Sequence, residues 1–322
     1  MIIQRYITRF ILLKGFSAAA LIILISIHAR ADMPTSQFLL VGQGARAEAM
    51  GEAVVADCFD ETAAYWNPAA MAFARYPEIG FNSETLADGM FADNAGFIYP
   101  RSKYSFGFRL ITLNSQIDNY DIYGNKLSQG LGENDLNFNV LTSYRLNQNI
   151  ALGVGLGNTS MNLSTPGVNY GASTPNLNLG AAYNKDSLSI GASIANIGGT
   201  IKFTSDSPGE PQPLDVRIGG AYKLLLDDKP LMIDAAFESN IYDANAGGFR
   251  LGSEYTFVKY FALRGGLMIE KYGDVKPTIG FGAYYYGFGL DYAATIAPAS
   301  MSDMIVSRIG LSYKFGMDAS QN

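Results

Sequence analysis

Along most of the chain, apolar and polar residues alternate one by one, which is the pattern of β-strands with two different faces. From Ile150 to Leu156, bulky aliphatic residues alternate with Ala and Gly, and from Ile309 to Phe315 the apolar residues alternate with Gly, Ser and Lys. Gly, Pro, Asn and Asp separate such segments and mark turns. The pattern predicts about 14 strands, in the ranges 76–83, 92–99, 102–114, 134–145, 149–161, 174–184, 187–197, 212–225, 230–240, 246–257, 260–271, 275–285, 287–297 and 302–315.

The predicted connections are of two kinds. Tight turns fall near Pro100, Asn147, Lys185, Asp228 and Lys259. Alternate connections are long and rich in Gly, Asn, Ser and Pro, at 115–133, 162–173 and 198–211. Short turns at one end and long loops at the other are typical of outer-membrane barrels, whereas a soluble sandwich has no reason to separate loop lengths in this way. The sequence therefore predicts an all-β membrane protein, an antiparallel outer-membrane β-barrel of about 14 strands.

The two predicted strand faces differ in composition. One face carries Leu, Ile, Val, Phe and Tyr, which suit lipid and interfacial aromatic belts, although a sandwich core would have similar residues. The other face carries Gly, Ser, Asn and charged residues, and six acidic residues match six basic ones on the later strands. We expect ion pairs inside the barrel, although each position could simply be solvated. These inward positions are Asp215, Arg217, Lys223, Asp234, Glu238, Arg250, Glu254, Arg264, Glu270, Asp291, Arg308 and Lys314.

The first 31 residues have the features of a secretory signal peptide. Arg5, Arg9 and Lys14 form a basic region, the apolar run 15–27 is too short to span a bilayer, and Ala29-Arg30-Ala31 is a typical cleavage site. The sequence thus predicts export in a cell of Gram-negative type, with cleavage near Ala31. A chain that enters from the periplasm with an even number of strands returns both ends there, so the long loops are expected outside the cell.

Charge and residue types restrict the chemistry. The signal peptide contains four of the 23 basic residues, so its removal leaves 19 against 29 acidic residues, a net charge of −10 that disfavours nucleic acid as a partner. The one His, His28, lies in the same segment, and Cys58 is the one Cys. We therefore expect no His-based triad, metal site, disulfide or cofactor. There is no Gly-x-Ser-x-Gly motif, and the glycines of 153–157 follow strand alternation, so we expect no enzyme.

The last predicted strand ends in an aromatic residue. Ser307 to Phe315 alternates regularly, and this strand resembles the C-terminal signal that the outer-membrane assembly machinery reads. Seven residues, 316–322, follow Phe315, whereas the typical signal lies at the chain terminus. The pattern predicts that the barrel assembly machinery is a partner.

The stretch from Gly42 to Ala72 differs from the rest because it is rich in small residues and partly helical in pattern. A barrel of about 14 strands is too wide for its own side chains to fill, since about eight strands is the size at which they do. We therefore expect this stretch to be a plug in the lumen, with an N-terminal arm outside the barrel as the alternative. Asn67 followed by Pro68 predicts a helix start, and the helix would continue to Phe73.

The sequences GARAEAMGEAVVAD and YWNPAAMA resemble the N-terminal signature of the PorV/PorQ family, whose wider relatives are the FadL-like fatty-acid transporters. Two further segments, 190–198 and 213–219, are similar to the same family. Cys58 departs from the pattern, since relatives usually have a small or acidic residue there. It is expected to be a small buried side chain rather than a redox thiol. The matching positions are Gly44, Ala45, Arg46, Ala47, Met50, Gly51, Ala53, Ala56, Asp57, Trp66, Asn67, Pro68 and Ala69.

The resemblance implies a non-enzymatic barrel with a signal peptide at 1–31, a plug at 32–75, a barrel at 76–315 and a short tail at 316–322. Family proximity favours a secretion or surface-assembly function, with transport as the alternative and a lineage-specific relative that does neither as a third possibility. A secretion or surface-assembly component would bind exported proteins or secretion components through its loops, with Tyr120 and Tyr123 as candidate contacts. A FadL-like transporter would instead carry a hydrophobic small molecule. Either protein would reside in the outer membrane, in contact with its lipid.

Overall fold

The structure is a computed structural model, and it describes residues 34–86, 90–121, 123–126, 130–204, 206, 208–243, 246–258, 260–296 and 305–316. The predicted signal peptide and residues 317–322 of the predicted tail lie outside the described residues. Among the residues described, no helix is long and apolar enough to cross a membrane.

Fourteen antiparallel strands form a closed barrel, in which the first strand pairs with the last. This confirms the predicted fold class and strand number, and each predicted strand overlaps one observed strand. A two-residue hairpin, β8 (Thr200–Ile201) with β9 (Glu210–Pro211), lies outside the barrel sheet. The barrel strands are β1 (Glu78–Thr85), β2 (Phe91–Pro100), β3 (Tyr104–Ile117), β4 (Leu131–Arg145), β5 (Ile150–Thr165), β6 (Val168–Lys185), β7 (Leu188–Gly198), β10 (Asp215–Leu226), β11 (Lys229–Asn240), β12 (Gly247–Val258), β13 (Phe261–Glu270), β14 (Val275–Tyr285), β15 (Phe288–Ile296) and β16 (Ile305–Lys314).

The connections separate by length, as predicted, with one exception. At the end of the barrel that we call the short-turn end, they are 101–103, 146–149, 186–187, 227–228, 259–260 and 286–287. The longest ones, 118–130 and 199–214, lie at the opposite, long-loop end.

The predicted loop 162–173 is wrong, because β5 continues to Thr165 and β6 begins at Val168, which leaves a two-residue turn with Gly167 at φ 84°. The sequence misled here because the outward residues of β5 become polar from Asn158 onward while the strand continues.

The outward face of the barrel is apolar over a broad band. Large side chains such as Phe106 (54% exposed) and Leu156 (64% exposed) point away from the lumen. Aromatic rings pair at the short-turn end, where the ring centres of Phe288 and Tyr313 are 4.6 Å apart. An exposed apolar band with aromatic rings near its edge is the surface that lipid covers in a membrane barrel.

The segment before β1 lies inside the barrel, so the alternative of an external arm is wrong. Its described part, from residue 34 onward, contains two short α-helices, Ala45–Ala49 and Ala63–Trp66, and three 3-10 helices, Gln37–Leu40, Val54–Ala56 and Pro68–Phe73. Its side chains are almost all buried against inward residues of the barrel wall.

This plug runs from the long-loop end to the short-turn end. The Thr35 N–H donates to the Pro211 carbonyl oxygen (3.1 Å) in the longest connection, and the plug joins β1 at Glu78. The expectation that both ends of the exported chain lie at the short-turn end is therefore wrong for the N-terminal side. Counting strands fixes where the barrel sheet begins and ends, but it does not fix the path of a segment that enters the lumen first.

Candidate functional site

Glycines of the barrel wall let the plug backbone come very close. A Cβ atom on Gly266 would lie 2.3 Å from the Gly51 nitrogen, and one on Gly153 would lie 2.3 Å from the Ala69 nitrogen. Real side chains do not tolerate such distances, so these wall positions require glycine. The plug is therefore seated by close backbone contact around the barrel. Other wall glycines beside the plug are Gly80, Gly96, Gly107, Gly180, Gly191, Gly219, Gly252 and Gly280.

Two glycines of the plug motif have backbone conformations that favour glycine. Gly44 has φ 94° and precedes the helix Ala45–Ala49, and Gly51 has φ 59°. The Gly51 N–H donates to Thr278 Oγ1 (3.1 Å), and a Cβ there would lie 2.7 Å from the Leu267 nitrogen. Gly51 is thus required both by its own φ and by its contact with the wall.

Asn67 forms hydrogen bonds with the helix that starts at Pro68, with Val55 elsewhere in the plug, and with Ala181 in the barrel wall. Its Oδ1 accepts from the Ala69 N–H (3.1 Å), which caps the 3-10 helix that starts at Pro68, where the sequence predicts a helix start. Its Nδ2 donates to the carbonyl oxygens of Val55 in the plug and Ala181 in the wall, both at 3.1 Å. Asn67 is fully buried, so its loss would leave several buried polar groups without partners.

Trp66 and Tyr65 fill the middle of the lumen. The Trp66 Nε1–H donates to the Gln43 carbonyl oxygen at 2.7 Å. The Tyr65 ring lies between two arginines, with the guanidinium carbon of Arg217 at 4.5 Å and that of Arg109 at 5.4 Å from the ring centre. Both aromatic residues are almost completely buried. Tyr65 therefore connects the plug to the wall at β3 and β10.

Cys58 is a packing residue in this structure. It is completely buried in the hydrophobic cluster of the plug, and its Sγ lies 3.9 Å from the Val55 carbonyl oxygen. Burial raises the pKa of the thiol well above its ordinary value. A buried, protonated thiol is a poor nucleophile, which agrees with the expected packing role.

Arg46 and Asp57, two residues of the plug motif, belong to a buried ion-pair network. Arg46 Nη2 is 2.6 Å from Asp57 Oδ2, and Arg46 Nε is 3.0 Å from Glu254 Oε2 on the wall. Arg264 continues the network, 2.6 Å from Glu254 and 2.6 Å from Asp291. Burial alone would lower the pKa of Arg46, but the neighbouring carboxylates outweigh that effect and raise it. These ion pairs hold one side of the plug against the barrel wall.

Strands β3–β7 hold their inward polar groups differently. Asn139 Nδ2 donates to Asn137 Oδ1 (2.6 Å), and Asn178 Nδ2 donates to Asn139 Oδ1 (2.7 Å). Thr159 accepts from Asn137 at 2.9 Å and donates to Gln212 Oε1 at 2.6 Å. These amide and hydroxyl groups are uncharged, and one cation, Arg109, donates to Asn137 Oδ1 (2.8 Å). The described ion pairs of the lumen lie on the other strands and the plug.

Ten of the twelve charged residues predicted to face inward form ion pairs, whereas Lys223, which is exposed, and Asp234 form none with the described residues. Arg250, for example, lies 3.4 Å from Glu238 and 3.3 Å from Glu270. The lumen is also not balanced in charge. The expectation of balance is wrong because it counted strands alone, whereas the plug adds five carboxylates and one arginine. Asp234 is buried and neither of its carboxylate oxygens has a hydrogen-bond partner among the described residues. The added groups are Glu48, Glu52, Asp57, Asp60, Glu61 and Arg46.

Two cavities lie in the lumen beside the plug. The long-loop cavity, about 820 Å³, opens toward the long-loop end. The short-turn cavity, about 320 Å³, lies toward the opposite end. Among the described residues, no group of three or more His, Cys, Asp or Glu is placed to hold a metal ion. The charged groups that line the long-loop cavity are Glu48, Glu52, Glu84, Asp215, Glu238, Arg250, Glu270, Asp274, Lys276 and Arg308.

The connection 199–214 forms a roof over part of the lumen. Ile201 is only 2% exposed and belongs to the same hydrophobic cluster as Phe38 and Met161. Ser36 Oγ lies 3.0 Å from the Met161 sulfur, within the same contact region. The predicted long loop 198–211 is therefore anchored to the plug region through Ile201, while most of its described residues are exposed.

The connection 118–130 carries both candidate contact tyrosines and is well exposed. Tyr120 and Lys126 form a β-bridge, and Lys126 Nζ lies 2.7 Å from Asp118 Oδ2. The Asp121 carboxylate accepts from the backbone N–H of Tyr123 and of Asn125, which orders the tip as an Asx turn. Tyr120 is 55% and Tyr123 83% exposed. The tip thus presents two aromatic side chains on an ordered turn, far from the plug motif.

The plug motif found in the sequence is thus one assembly in the structure, whereas the wall groups that receive it were not identified as site residues. Glu48, Glu52 and Glu61 were also missed, and they supply carboxylates to the two cavities. The acidic composition of 48–61 was the available signal.

The barrel and its luminal plug define the class of protein. The toluene transporter TodX of P. putida has a similar fold (TM-score 0.63, 15% identity, 85% of this chain and 99% of that chain covered). The Ralstonia pickettii toluene transporter TbuX has a TM-score of 0.61 and 15% identity, with 85% of this chain and 98% of that chain covered. A Pseudomonas aeruginosa FadL homologue has a TM-score of 0.57 and 10% identity, with 85% of this chain and 98% of that chain covered. At such identities the likeness shows the fold alone, which is that of FadL-like outer-membrane barrels.

The sequence gives the family. Residues 27–241 match the family described as type IX secretion system protein PorV, and this match spans more than half of the chain. The chain belongs to the PorV family. No curated protein matches it. Family and fold are those of secretion or transport barrels, and they indicate the outer membrane.

Proposed function

We propose that this protein is a non-enzymatic secretion or surface-assembly component that binds exported proteins at the long-loop end of the barrel. The observation that carries the proposal is the ordered, exposed turn of 118–126 in a member of a family described by type IX secretion. Exposed aromatic residues on a preordered turn are suited to protein recognition, because little conformational freedom is lost on binding. The secretion machinery itself is a second partner class that the same surface could bind.

The seating of the plug supports this proposal. Close backbone contacts, the Asn67 hydrogen bonds and the Arg46 network hold the plug on several sides. A plug so seated keeps the lumen closed and leaves the mouth of the barrel as the working surface. The proposed roles of the motif residues Gly44, Arg46, Gly51, Asp57, Trp66, Asn67, Pro68 and Ala69 are therefore structural.

Transport of a hydrophobic small molecule is the alternative, and the lining of the lumen argues against it. Both luminal cavities are bordered by many charged side chains, including Glu52 and Arg250 in one and Arg46 and Glu78 in the other. An apolar ligand gains little from such a lining, since it would displace water from charged groups without pairing them.

Two further partners follow from the barrel itself. The apolar outward face would contact outer-membrane lipid. We also propose that the barrel assembly machinery reads β16, which closes the barrel against β1. With the signal peptide removed near Ala31, the proposed organisation is a plug at 32–75 and a barrel at 76–315.

The experiment that tests the proposal replaces Tyr120 and Tyr123 together with Ser. Affinity capture of the wild-type barrel from its native membrane should recover exported proteins, and the double variant should recover far less. Tyr272→Ser is the matched control, because Tyr272 is also strongly exposed at the long-loop end but lies in another connection.

Each outcome has a defined meaning. Unchanged capture by the double variant would exclude these tyrosines as contacts. Recovery of a bound hydrophobic molecule without any exported protein would favour the transporter instead. Slower gel migration after heating, with the same shift in all variants, would show that the barrel is intact.

A further inference from the structure

The short-turn cavity is a partly open cleft with a surplus of negative charge. It lies between the plug and strands β1, β11–β16, and its volume is about 320 Å³. Six carboxylates line it, against two cations, Arg46 and Lys314. The six are Asp57, Asp60, Glu61, Glu78, Glu254 and Asp291.

The cations of the wall and plug do not neutralise all six carboxylates. Arg46 forms ion pairs with Asp57, Asp60 and Glu254, and Lys314 Nζ lies 3.7 Å from Glu78 Oε1. Arg264, just behind the lining, adds contacts to Glu254 and Asp291. Three cations therefore face six carboxylates. A surplus of this kind attracts cations into a cleft.

Glu61 is the group that this arrangement leaves without a cation. It lines the cavity, is only 7% exposed, and forms no ion pair with any described residue. It cannot withdraw into the wall, because its carboxylate lies against Gly80, where an added Cβ would be 2.2 Å from Oε1. A buried carboxylate without a cationic partner is costly unless a ligand or a proton compensates it.

The distribution of the carboxylates favours an organic cation. They come from the plug, β1, β12 and β15, and among the described residues they do not form a group placed to hold a metal ion. An ammonium group has three N–H donors that point in different directions, so it can contact carboxylates on separate elements. Its aliphatic chain can lie along the ring of Tyr284, which also lines the cavity.

We propose that the short-turn cavity binds an aliphatic ammonium group beside Glu61, carried by a small diamine or by a lysine side chain of a polypeptide. This site goes beyond the proposed capture of exported proteins, because it lies at the opposite end of the barrel. The two sources share one chemistry, and the experiment distinguishes them.

The proposal has a pH signature. Burial, followed by the charges of Glu78 and Asp60, raises the pKa of Glu61 well above its ordinary value. The site therefore holds a proton that must leave before the ammonium group pairs with Glu61, so binding should tighten as pH rises. The other charged groups that face this position are Asp57, Asp60, Glu78, Glu254, Asp291, Arg46, Arg264 and Lys314.

The test is calorimetric titration of the folded, detergent-solubilised barrel with 1,4-diaminobutane. We expect saturable binding that tightens from pH 6 to pH 8, and no binding of the neutral analogue 1,4-butanediol. Glu61→Gln should weaken the affinity about tenfold or more, because a charge-assisted contact is lost. Glu210→Gln, the same change at an exposed position of β9, should leave it unaltered.

A short peptide with one lysine identifies the source, with norleucine replacing that lysine as control. Tighter binding of the lysine peptide than of the diamine indicates a polypeptide, and the reverse order indicates a small amine. Glu61→Asp keeps the charge and should bind more tightly than Glu61→Gln, which separates a lost contact from a disturbed plug. Absence of saturable amine binding in the wild type, or equal affinity in Glu61→Gln, overturns the proposal. Exported-protein capture should be unchanged in Glu61→Gln, so this inference and the proposed function can fail independently.

Discussion

The two sides of the lumen hold the plug by different physical means. On strands β3–β7, which we call the amide half, Asn and Thr side chains form a neutral hydrogen-bond network. On strands β10–β16 and β1, the ionic half, arginines bridge carboxylates of the wall and plug. The amide half also carries the roof, with Ile201 packed beside Phe38. Both luminal cavities lie in the ionic half.

This difference shows how the plug can close one half of the lumen while cavities remain beside it in the other half. On the amide half, Asn, Thr and small residues pack closely and leave little room, although some buried polar atoms there, such as Asp135 Oδ1 and Oδ2 and Ser143 Oγ, have no hydrogen-bond partner among the described residues. Buried charges need several partners each, and the geometry of many partners leaves gaps between them. We therefore expect the amide half to seal the lumen and the ionic half to admit water and polar ligands.

The largest expected effect compares an arginine from each half. Arg264→Met leaves buried Asp291 without a cationic partner and Glu254 with Arg46 alone, so it should lower the free energy of unfolding by about 3–5 kcal/mol. Arg109→Met removes an equally buried arginine whose contacts are Asn137 and the Ala64 carbonyl oxygen, both neutral, and should cost about 1–3 kcal/mol. Urea unfolding of both variants measures the difference, and equal costs would contradict the division into halves.

The next effect concerns close packing of the plug. Gly266→Ala places a Cβ against the plug backbone at Gly51 and should cost about 1–3 kcal/mol by overpacking. Gly265→Ala is the matched control, since its Cβ would be 3.9 Å from the nearest neighbouring atom and points to the lipid side. Protease digestion of the plug should increase for the first variant alone. Equal resistance of the two variants would mean that the plug is not held at this contact.

A smaller effect is expected at the helix start. Asn67→Ala removes the helix cap at Ala69 and the two hydrogen bonds that the Asn67 amide donates to the carbonyl oxygens of Val55 and Ala181. The plug should therefore lose about 1–2 kcal/mol of stability while the barrel persists. Asn169→Ala, at an exposed position on β6, should have no measurable effect. Ion leakage through the barrel in planar bilayers reports on the plug, and unchanged leakage for Asn67→Ala would refute its role.

The last expected effect is a pH dependence in the ionic half. Burial, with the nearby carboxylates of Glu48 and Glu238, raises the pKa of Glu52 to about 8. Because the folded protein then binds a proton that the unfolded chain releases, stability should fall as pH rises from about 4.5 through about 8. Glu52→Gln should flatten this slope in unfolding experiments. A slope that is the same in Glu52→Gln would assign the pH dependence to other groups.

Much of the barrel could be predicted from the sequence because alternation is a local signal. Strands such as 275–285 match their predicted bounds, and Asn67-Pro68 marks the observed helix start. The end of β5 was not predicted because the alternation reverses where the strand leaves the lipid: Ser160, Asn162 and Ser164 face outward, whereas Met161 and Leu163 face the lumen. The surplus charge of the lumen was also missed, since it depends on which wall residues the plug meets, and that is a long-range property. Glu61 shows this, because only the fold brings it into one cavity with Glu78 and leaves it in no ion pair with a described residue.

The most direct test of the account is photocrosslinking in intact cells from position 123 at the exposed turn, with position 286 at the short-turn end as control. Both tyrosines are exposed, 83% and 47%, so a photoreactive side chain should be accepted at either site. The account predicts adducts of exported proteins from position 123 and none of them from position 286. Adducts of exported proteins from position 286 alone, or the absence of protein adducts from position 123, would contradict the proposal that the long-loop end captures exported protein.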